Sequence, residues 1–287
     1  MGLRVLPGQS GEIDQPVEEH MVRQPAVANR FYPGSPKELE RTVKNFLPDN
    51  GIDKKAAIAA ISPHAGYIYS GELAGQTIGS TIIPGTVMIL GPNHHGQGPP
   101  VALSTISWAM PQGLVPIDKE ITDLLLSTSS TIKADEKAHQ LEHSLEVQVP
   151  FLQVMQPNLH IVPLAVSQIS FALCEEVAAE LAGCIKKVDK QVLILASTDM
   201  SHYESRTDAS EKDSLALERV TSLDPEGLYN TVVSKRISMC GFIPVTITLL
   251  AAKLLGATKA DLVNYTDSGA TSGDTDRVVG YAGLLIS

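Results

Sequence analysis

Histidines and one aspartate lie in three short motifs of this sequence. His64 is in SPHAGY, His94 and His95 are in GPNHHG, and Asp199 and His202 are in STDMSH. Imidazole is the commonest metal-ligating side chain at neutral pH, and two imidazoles with one anionic group form an open site. The three motifs together predict a metal site that leaves positions for water, a substrate or O₂.

Each motif follows an apolar run that we predict as a β-strand, at 56–62, 86–91 and 191–197. Ligands of open α/β sheets bind outside the carboxyl ends of the strands. If the three strands are parallel neighbours, four imidazoles and a carboxylate meet at one edge of the sheet. A single histidine after a strand is more often a loop residue bonded to backbone, but three such strand ends favour the metal site.

A fourth segment, AHQLEHSLEVQVPFLQ, predicts a helix over 142–155. His143 and Glu146 are three residues apart and would share a face of this helix. A carboxylate beside an imidazole can fix its tautomer or act with it as an acid–base pair. The alternative is a solvated first helical turn with a glutamate near the helix dipole.

The same segment contains H-x-x-E-H, from His139 to His143, which is the inverted zincin motif. On a helix both histidines would bind zinc, and Glu142 would be the base for peptide hydrolysis. The motif is short, and 135–139 has the character of a loop that precedes the helix. A metallopeptidase therefore stays an alternative.

A site with two histidines needs a third protein ligand, and the candidates are Asp199 and Cys240. Cys240 precedes a helix predicted to begin near Gly241, and the free N–H groups at a helix start lower the pKa of a cysteine. A thiolate is both a nucleophile and a metal ligand. The alternative is a small buried apolar residue, which is how we interpret Cys174 and Cys184.

Apolar strands alternate with amphipathic helices along the chain. This pattern predicts a single α/β domain over 21–287, with a central mostly parallel or mixed sheet and helices on both faces. Residues 1–20 are polar and rich in Gly and Pro, and predict a flexible N-terminal extension. The other predicted strands are 100–105, 159–166 and 279–286. One further helix is predicted to begin at Pro36. The remaining predicted helices are 70–80, 118–128, 170–187, 208–222, 225–234 and 241–256.

The composition excludes several classes of partner. The chain has 287 residues and a net charge of -10, which argues against nucleic acid and against anionic membranes. The apolar runs are the length of strands, much shorter than a membrane span, and no secretory signal is visible. Three cysteines, an odd number, are typical of reduced thiols, so we expect a cytoplasmic protein.

Seven stretches together resemble the Memo family, whose prokaryotic members are labelled AmmeMemoRadiSam system protein B. In chain order they are PAVANRFYPG, SPHAGYIYSG, LGPNHHG, EHSLEVQVPFLQ, STDMSHY, MCGFIP and SGDTDRVVGYA. They occur in the order of the family and extend over residues 21–287. A set of seven ordered motifs is far more specific than any one of them.

The resemblance implies a fold similar to that of the class III extradiol dioxygenases, which hold non-haem Fe(II) with two histidines and a carboxylate. It implies that His64, His94 and Cys240 hold the metal and that Asp199 and His202 line the same pocket. A cysteine in place of the carboxylate favours iron, copper or zinc over magnesium and calcium. It also puts ring cleavage in question, because a thiolate is itself oxidisable.

The resemblance further implies that His143 lies close to the pocket and that His95 orients the ligands or lines the site. His143 with Glu146 would then support the ligands or shuttle protons. The substrate of the family is unsettled. Its gene label implies a functional link to a radical-SAM protein and to an AMMECR-like protein.

Three functions follow from these observations. The favoured one is a redox protein with non-haem Fe(II), or with copper, in which His202, oriented by Asp199, is the acid–base residue for a small-molecule or peptide substrate. The second is a non-catalytic module whose crevice binds a peptide or a partner protein. The third is a zinc-dependent hydrolase that uses His139, Glu142 and His143 or the main pocket.

Overall fold

The β-strands of the chain form one large mixed sheet and one small hairpin. The structure is a computed structural model that describes residues 21–48 and 54–287. In chain order the strands are β1 Ala59–Ser62, β2 Thr86–Pro92, β3 Val101–Leu103, β4 Trp108–Met110, β5 Gly113–Val115, β6 Ile132–Ala134, β7 His160–Val166, β8 Val192–Ser197, β9 His202–Glu204, β10 Ala260–Asp267 and β11 Val278–Ile286. The order in the large sheet is β10-β11-β1-β8-β2-β7-β3-β6, with β9 beside β11, and β4 pairs with β5.

The helices pack on both faces of the large sheet. They are α1 Pro36–Phe46, α2 Tyr67–Gly79, α3 Lys119–Thr128, α4 Lys137–Gln140, α5 Val149–Met155, α6 Phe171–Ile185, α7 Arg206–Thr221, α8 Pro225–Lys235, α9 Phe242–Leu254 and α10 Gly269–Ser272, and a 3₁₀ turn, Glu146–Gln148, precedes α5. Side chains of α3, α6, α7, α8 and α9 form one core, and those of α1, α2, α4 and α5 form the other. No helix of the described ranges is long and apolar enough to cross a membrane.

The central strands bury side chains on both faces. Met88 and Leu90 belong to one core, whereas Val87 and Ile89 of the same strand belong to the other. Successive side chains of a strand point to opposite faces, so a strand covered on both sides must be apolar throughout. Burying each such side chain contributes about 1.5–3 kcal/mol. The predicted single α/β domain with a mixed, doubly covered sheet is confirmed.

The middle of the sheet is parallel, and this places the ends of its strands together. β8 lies between β1 and β2, and both pairs are parallel, with Ser62 opposite Ser197 and Leu90 opposite Ala196. β7 continues the parallel set beside β2. The antiparallel β10 and β11 complete the sheet on the side of β1. The carboxyl ends of β1, β8 and β2 therefore meet at one edge.

The helix predicted over 142–155 is wrong in its first half. Residues 141–145 are not helical, and the regular helix is α5. The physical reason is local, because Glu142 Oε1 accepts the N–H groups of His143 and Ser144, both at 2.9 Å. A side chain that takes backbone donors in this way competes with the helical bonds. The extension predicted over 1–20 lies outside the described residues.

Candidate metal centre

Three predicted site residues follow the ends of adjacent parallel strands. His64 lies two residues past β1, His94 two residues past β2 and Asp199 two residues past β8. Because these strands are neighbours in the sheet, the side chains converge above one edge. The ring centroids of His64 and His94 are 5.3 Å apart.

His64 is buried, and its tautomer follows from its contacts. Its Nδ1 lies 3.0 Å from Ser197 Oγ. The Ser197 hydroxyl donates its single hydrogen to the Ser144 carbonyl oxygen at 2.6 Å, so it must accept from His64 Nδ1–H. The lone pair is then on Nε2. Burial, with the neighbouring imidazoles, holds the pKa of His64 well below 6.5, so the ring is neutral at neutral pH.

His94 is oriented by the carboxylate of Glu142. His94 Nδ1 lies 2.9 Å from Glu142 Oε1, and His94 N donates to Oε2 at 2.7 Å. Burial alone would raise the pKa of Glu142, but the hydrogen bond from His94 and the backbone donors hold it well below its usual range. The carboxylate is therefore charged and accepts from Nδ1–H. This leaves Nε2 of His94 free, as in the carboxylate–histidine–metal arrangements of known sites.

His143 completes a group of three imidazoles. It stacks on His94 with 4.7 Å between the ring centroids, and its Nδ1 lies 3.5 Å from Glu142 Oε1. Burial lowers the pKa of His143 to about 4, so it too is neutral at neutral pH. One ring nitrogen from each of His64, His94 and His143 lies within 4.8 Å of the other two.

These imidazoles fit a transition-metal ion. Two nitrogens that share a metal, at bonds of about 2.0–2.1 Å, are about 3–4 Å apart, so only small ring movements bring the three together. Each ring has its Nδ1 within 3.5 Å of a protein oxygen, and imidazole ligands suit iron, copper or zinc and not magnesium or calcium. The side chains of His94 and His143 are 30% and 21% exposed, so the centre opens to solvent on one side.

Cys240 lies beside this group. Its Sγ is 3.3 Å from His64 Nε2 and accepts the N–H of Asp199 at 3.3 Å. The lowered pKa expected at the helix start is wrong for the protein without metal, because burial and then the Asp199 carboxylate raise the pKa of Cys240. The next residue must be glycine, because a Cβ at Gly241 would lie 2.5 Å from the Ser197 carbonyl oxygen. Whether Cys240 ligates the metal stays a prediction.

Asp199 and His202 do not form the predicted pair. Asp199 Oδ1 instead accepts the backbone N–H of His64 at 2.7 Å. His202 is held by Ser238, whose carbonyl oxygen lies 2.8 Å from His202 Nδ1. Orientation of His202 by Asp199 is therefore wrong, because the carbonyl of Ser238, in the segment before α9, fixes the ring of His202. Burial raises the pKa of Asp199 to about 6.

His143 and Glu146 do not share a helix face either. Glu146 is completely buried and pairs with Arg23 at 2.7 Å, on the side of the N-terminal segment. His95 is exposed, and its Nε2 lies 3.1 Å from the Leu141 carbonyl oxygen. Both residues hold neighbouring segments in place, and a catalytic role for either stays a prediction.

The inverted zincin motif is not a zinc site in this fold. α4 ends at Gln140, so no helix runs through 139–143. His139 is fully buried, with its Nε2 3.1 Å from the Ala102 carbonyl oxygen and its ring 5.8 Å from that of Trp108. Only His143 of the two motif histidines belongs to the imidazole group. The metallopeptidase interpretation of this motif is therefore wrong.

His139 should make the stability of the metal-free protein depend on pH. Burial lowers the pKa of His139 from 6.5 to about 4, so the unfolded chain takes up the proton first as the pH falls. The neutral, buried His139 therefore contributes fully to the free energy of unfolding above pH 6.5. This contribution, about 3 kcal/mol, is lost as the pH falls from 6.5 to 4. Urea unfolding at pH 7 and pH 4.5 measures this loss. His139→Gln keeps a donor and does not titrate, so equal losses in it and the wild type would contradict the expectation.

A cavity of about 450 Å³ opens beside the imidazole group. His64, His143, Asp199 and His202 line it together with four aromatic side chains and several small or polar residues. This volume is that of a small-molecule pocket. The strand-end histidines therefore border a space that a substrate could fill.

Sequence reasoning missed the two groups that orient the imidazoles. The sequence indicates Glu142 only as a hydrolytic base and Ser197 only as the end of a strand. The one signal for Glu142 was its position directly before His143 in the EHS motif. Nothing in the sequence indicated that Ser197, the last residue of β8, faces His64.

Comparison with known proteins agrees with the motifs. The Memo-like protein family matches residues 23–285. A MEMO1 family protein of Methanosarcina barkeri is 38% identical over 266 residues, which cover 92% of this chain and 100% of that protein. A MEMO1 family protein of Aquifex aeolicus is 39% identical over 269 residues, which cover 92% and 98%.

Among solved structures, an uncharacterized protein from Escherichia coli K12 has a TM-score of 0.47 and 12% identity, and the match covers 79% of this chain and 98% of that chain. The family match covers nearly all of the described residues and includes every motif of the candidate centre. The chain therefore belongs to the Memo-like protein family.

Proposed function

We propose that this protein is a redox protein that holds a transition-metal ion at His64, His94 and His143. Fe(II) is the favoured ion and copper is the second choice. One observation carries the proposal: three imidazoles, each with Nδ1 within 3.5 Å of a protein oxygen, have ligand nitrogens within 4.8 Å of one another. Cys240, 3.3 Å from His64, is the further ligand that the sequence predicts. Three or four protein ligands leave positions open on iron.

A thiolate beside the imidazoles favours a thiophilic ion. Metal binding deprotonates a coordinating thiol, so the raised pKa of the free Cys240 becomes a cost that only a thiophilic ion offsets. Iron and copper meet this condition, and so does zinc. When bound, iron or copper supplies one-electron chemistry and Lewis acidity.

Residues of the chain would position the substrate and move protons. Asp199 has a pKa of about 6 and lies in the cavity wall, so it can exchange a proton near neutral pH. His202 lies on the same wall with Nδ1 fixed by Ser238, which leaves Nε2 for a substrate proton. We assign acid–base work to these two side chains separately, not as a pair.

A zinc hydrolase is the second candidate function for the same centre. Three histidines with an open position form a known set of ligands for catalytic zinc. The centre would then activate water, and Asp199 would hold the proton. The identity of the metal decides between the two candidates.

Oxygen uptake tests the redox proposal. We expect the Fe(II)-loaded protein to consume O₂ with ascorbate faster than an equal concentration of free iron. The zinc-loaded protein is the matched control, because zinc has no redox chemistry. Equal rates for iron-loaded and zinc-loaded protein would contradict the proposal, and tight zinc binding with hydrolysis of an ester would favour the second candidate.

A further inference from the structure

The cavity beside the imidazole group is also lined by one cationic side chain and by several aromatic ones. Its only Lys or Arg within the described part of the chain is Arg277. Four aromatic side chains also line it, namely Phe31, Tyr69, Tyr203 and Tyr281. The acidic residues of the wall are Asp199 and Asp274. The imidazole group borders this space, so the other side chains of the wall are available to recognise a substrate.

Arg277 is free to bind an anion. In the described residues it makes no ion pair and donates no hydrogen bond, and its guanidinium lies over the Tyr203 ring, 5.6 Å from the centroid. Asp274, three residues earlier, uses Oδ1 to accept the Asp276 N–H. A guanidinium offers a planar fork of donors that matches a carboxylate with two parallel hydrogen bonds. Stacking on an aromatic face leaves that edge open.

Tyr203 holds this arrangement at the mouth of the cavity. Its φ is +60°, a left-handed conformation that residues other than glycine rarely adopt. The ring is 68% exposed and lies between Arg277 and His202, whose ring centroid is 5.9 Å away. Unfavourable backbone conformations and exposed aromatic rings both occur more often where ligands bind.

The charge of the other wall residues limits the ligand. Asp199 and Asp274 repel an anion, and a dianion such as a phosphate ester would be repelled more than a monoanion. The faces of the aromatic side chains suit a flat ring. A small aromatic monocarboxylate satisfies all of these conditions.

We propose that the substrate of this site is a small aromatic carboxylate, whose carboxylate Arg277 binds while its ring packs on Tyr203 and faces the imidazole group. The reaction of such a substrate rests on the proposed function. Its binding by Arg277 does not depend on the metal. Arg277 is a specificity-determining residue, separate from the residues that hold the metal.

Calorimetric titration of the iron-loaded protein under anaerobic conditions tests the inference. The probes are benzoate, its neutral analogue benzamide, and the non-planar cyclohexanecarboxylate. We expect benzoate to bind at least tenfold more tightly than either analogue. Arg277→Gln should weaken benzoate binding at least tenfold, whereas Arg41→Gln, which removes the same charge from the exposed surface of α1, should leave it unchanged.

The inference is overturned if benzoate does not bind, if benzamide or cyclohexanecarboxylate binds equally well, or if Arg277→Gln retains the wild-type affinity. Iron content is measured in the same samples, which separates the two proposals. A protein that holds no iron but still discriminates benzoate from benzamide would contradict the proposed function and support this inference. A protein that holds iron but does not discriminate benzoate from benzamide would contradict this inference and leave the proposed function standing.

Discussion

Replacing Glu146 by alanine is expected to lower the free energy of unfolding by about 3–5 kcal/mol. The buried carboxylate pairs with Arg23 at 2.7 Å, accepts the N–H groups of Ala26 and Val27 at 2.8 and 3.1 Å, and accepts the hydroxyl of Tyr32. Removing it leaves the Arg23 guanidinium buried without a counter-ion. The loss should be large because the charge cannot reach water without unfolding the segment around it.

Denaturant unfolding of the metal-free protein at pH 7 measures this effect. Glu72→Ala is the control, because Glu72 lies on the exposed side of α2 and should change the stability by less than about 0.5 kcal/mol. A loss below about 1 kcal/mol in Glu146→Ala would contradict the assigned structural role.

Glu146 shows why its role could not be predicted from the sequence. A spacing of three residues from His143 indicates a shared face only if the segment is helical, and Glu142 disrupts the helix at that point. Its actual partner, Arg23, lies more than 100 residues earlier. Pairing across the fold leaves no periodic signal in a single sequence, so only the structure reveals it.

Replacing Glu142 by glutamine is expected to weaken metal binding by about 10–100-fold. The substitution keeps the size of the side chain but removes the charge that accepts from His94 Nδ1 at 2.9 Å and from His94 N at 2.7 Å. Without that charge the His94 ring is less firmly oriented and is a weaker ligand. The same carboxylate also faces His143, so two of the three imidazoles are affected.

Competition with a chelator of known affinity measures this change at pH 7. The control is Glu175→Gln, which makes the same substitution on the exposed side of α6. Affinities within about twofold of the wild type in Glu142→Gln would contradict the role assigned to Glu142.

The strand ends were the part of the site that the sequence predicted well. Long apolar runs indicate central strands, and parallel neighbours bring the residues after them to one edge, as for His64, His94 and Asp199. Short or polar strands such as β6 and β10 were missed. β10 lies at the end of the sheet, and its ADLVNYTD sequence is only partly buried, so it has no continuous apolar run.

The orientation of each imidazole was beyond prediction, because it depends on a single hydrogen bond from another element. His64 is fixed by Ser197 of β8, His94 by Glu142 and His202 by Ser238. Motif spacing indicates which residues come near one another. It does not show which ring nitrogen faces the centre, and that decides whether a histidine can be a ligand.

Metal content tests the central claim most directly. The untagged protein, purified anaerobically, should contain about one equivalent of iron or copper by elemental analysis, and so should His95→Ala, which alters an exposed neighbour of the centre. His64→Ala, His94→Ala and His143→Ala should each lose the metal, and Cys240→Ser should lose it if the thiolate is a ligand. Absence of metal from the wild type even after anaerobic reconstitution, or equal metal in the histidine variants, would contradict the metal centre.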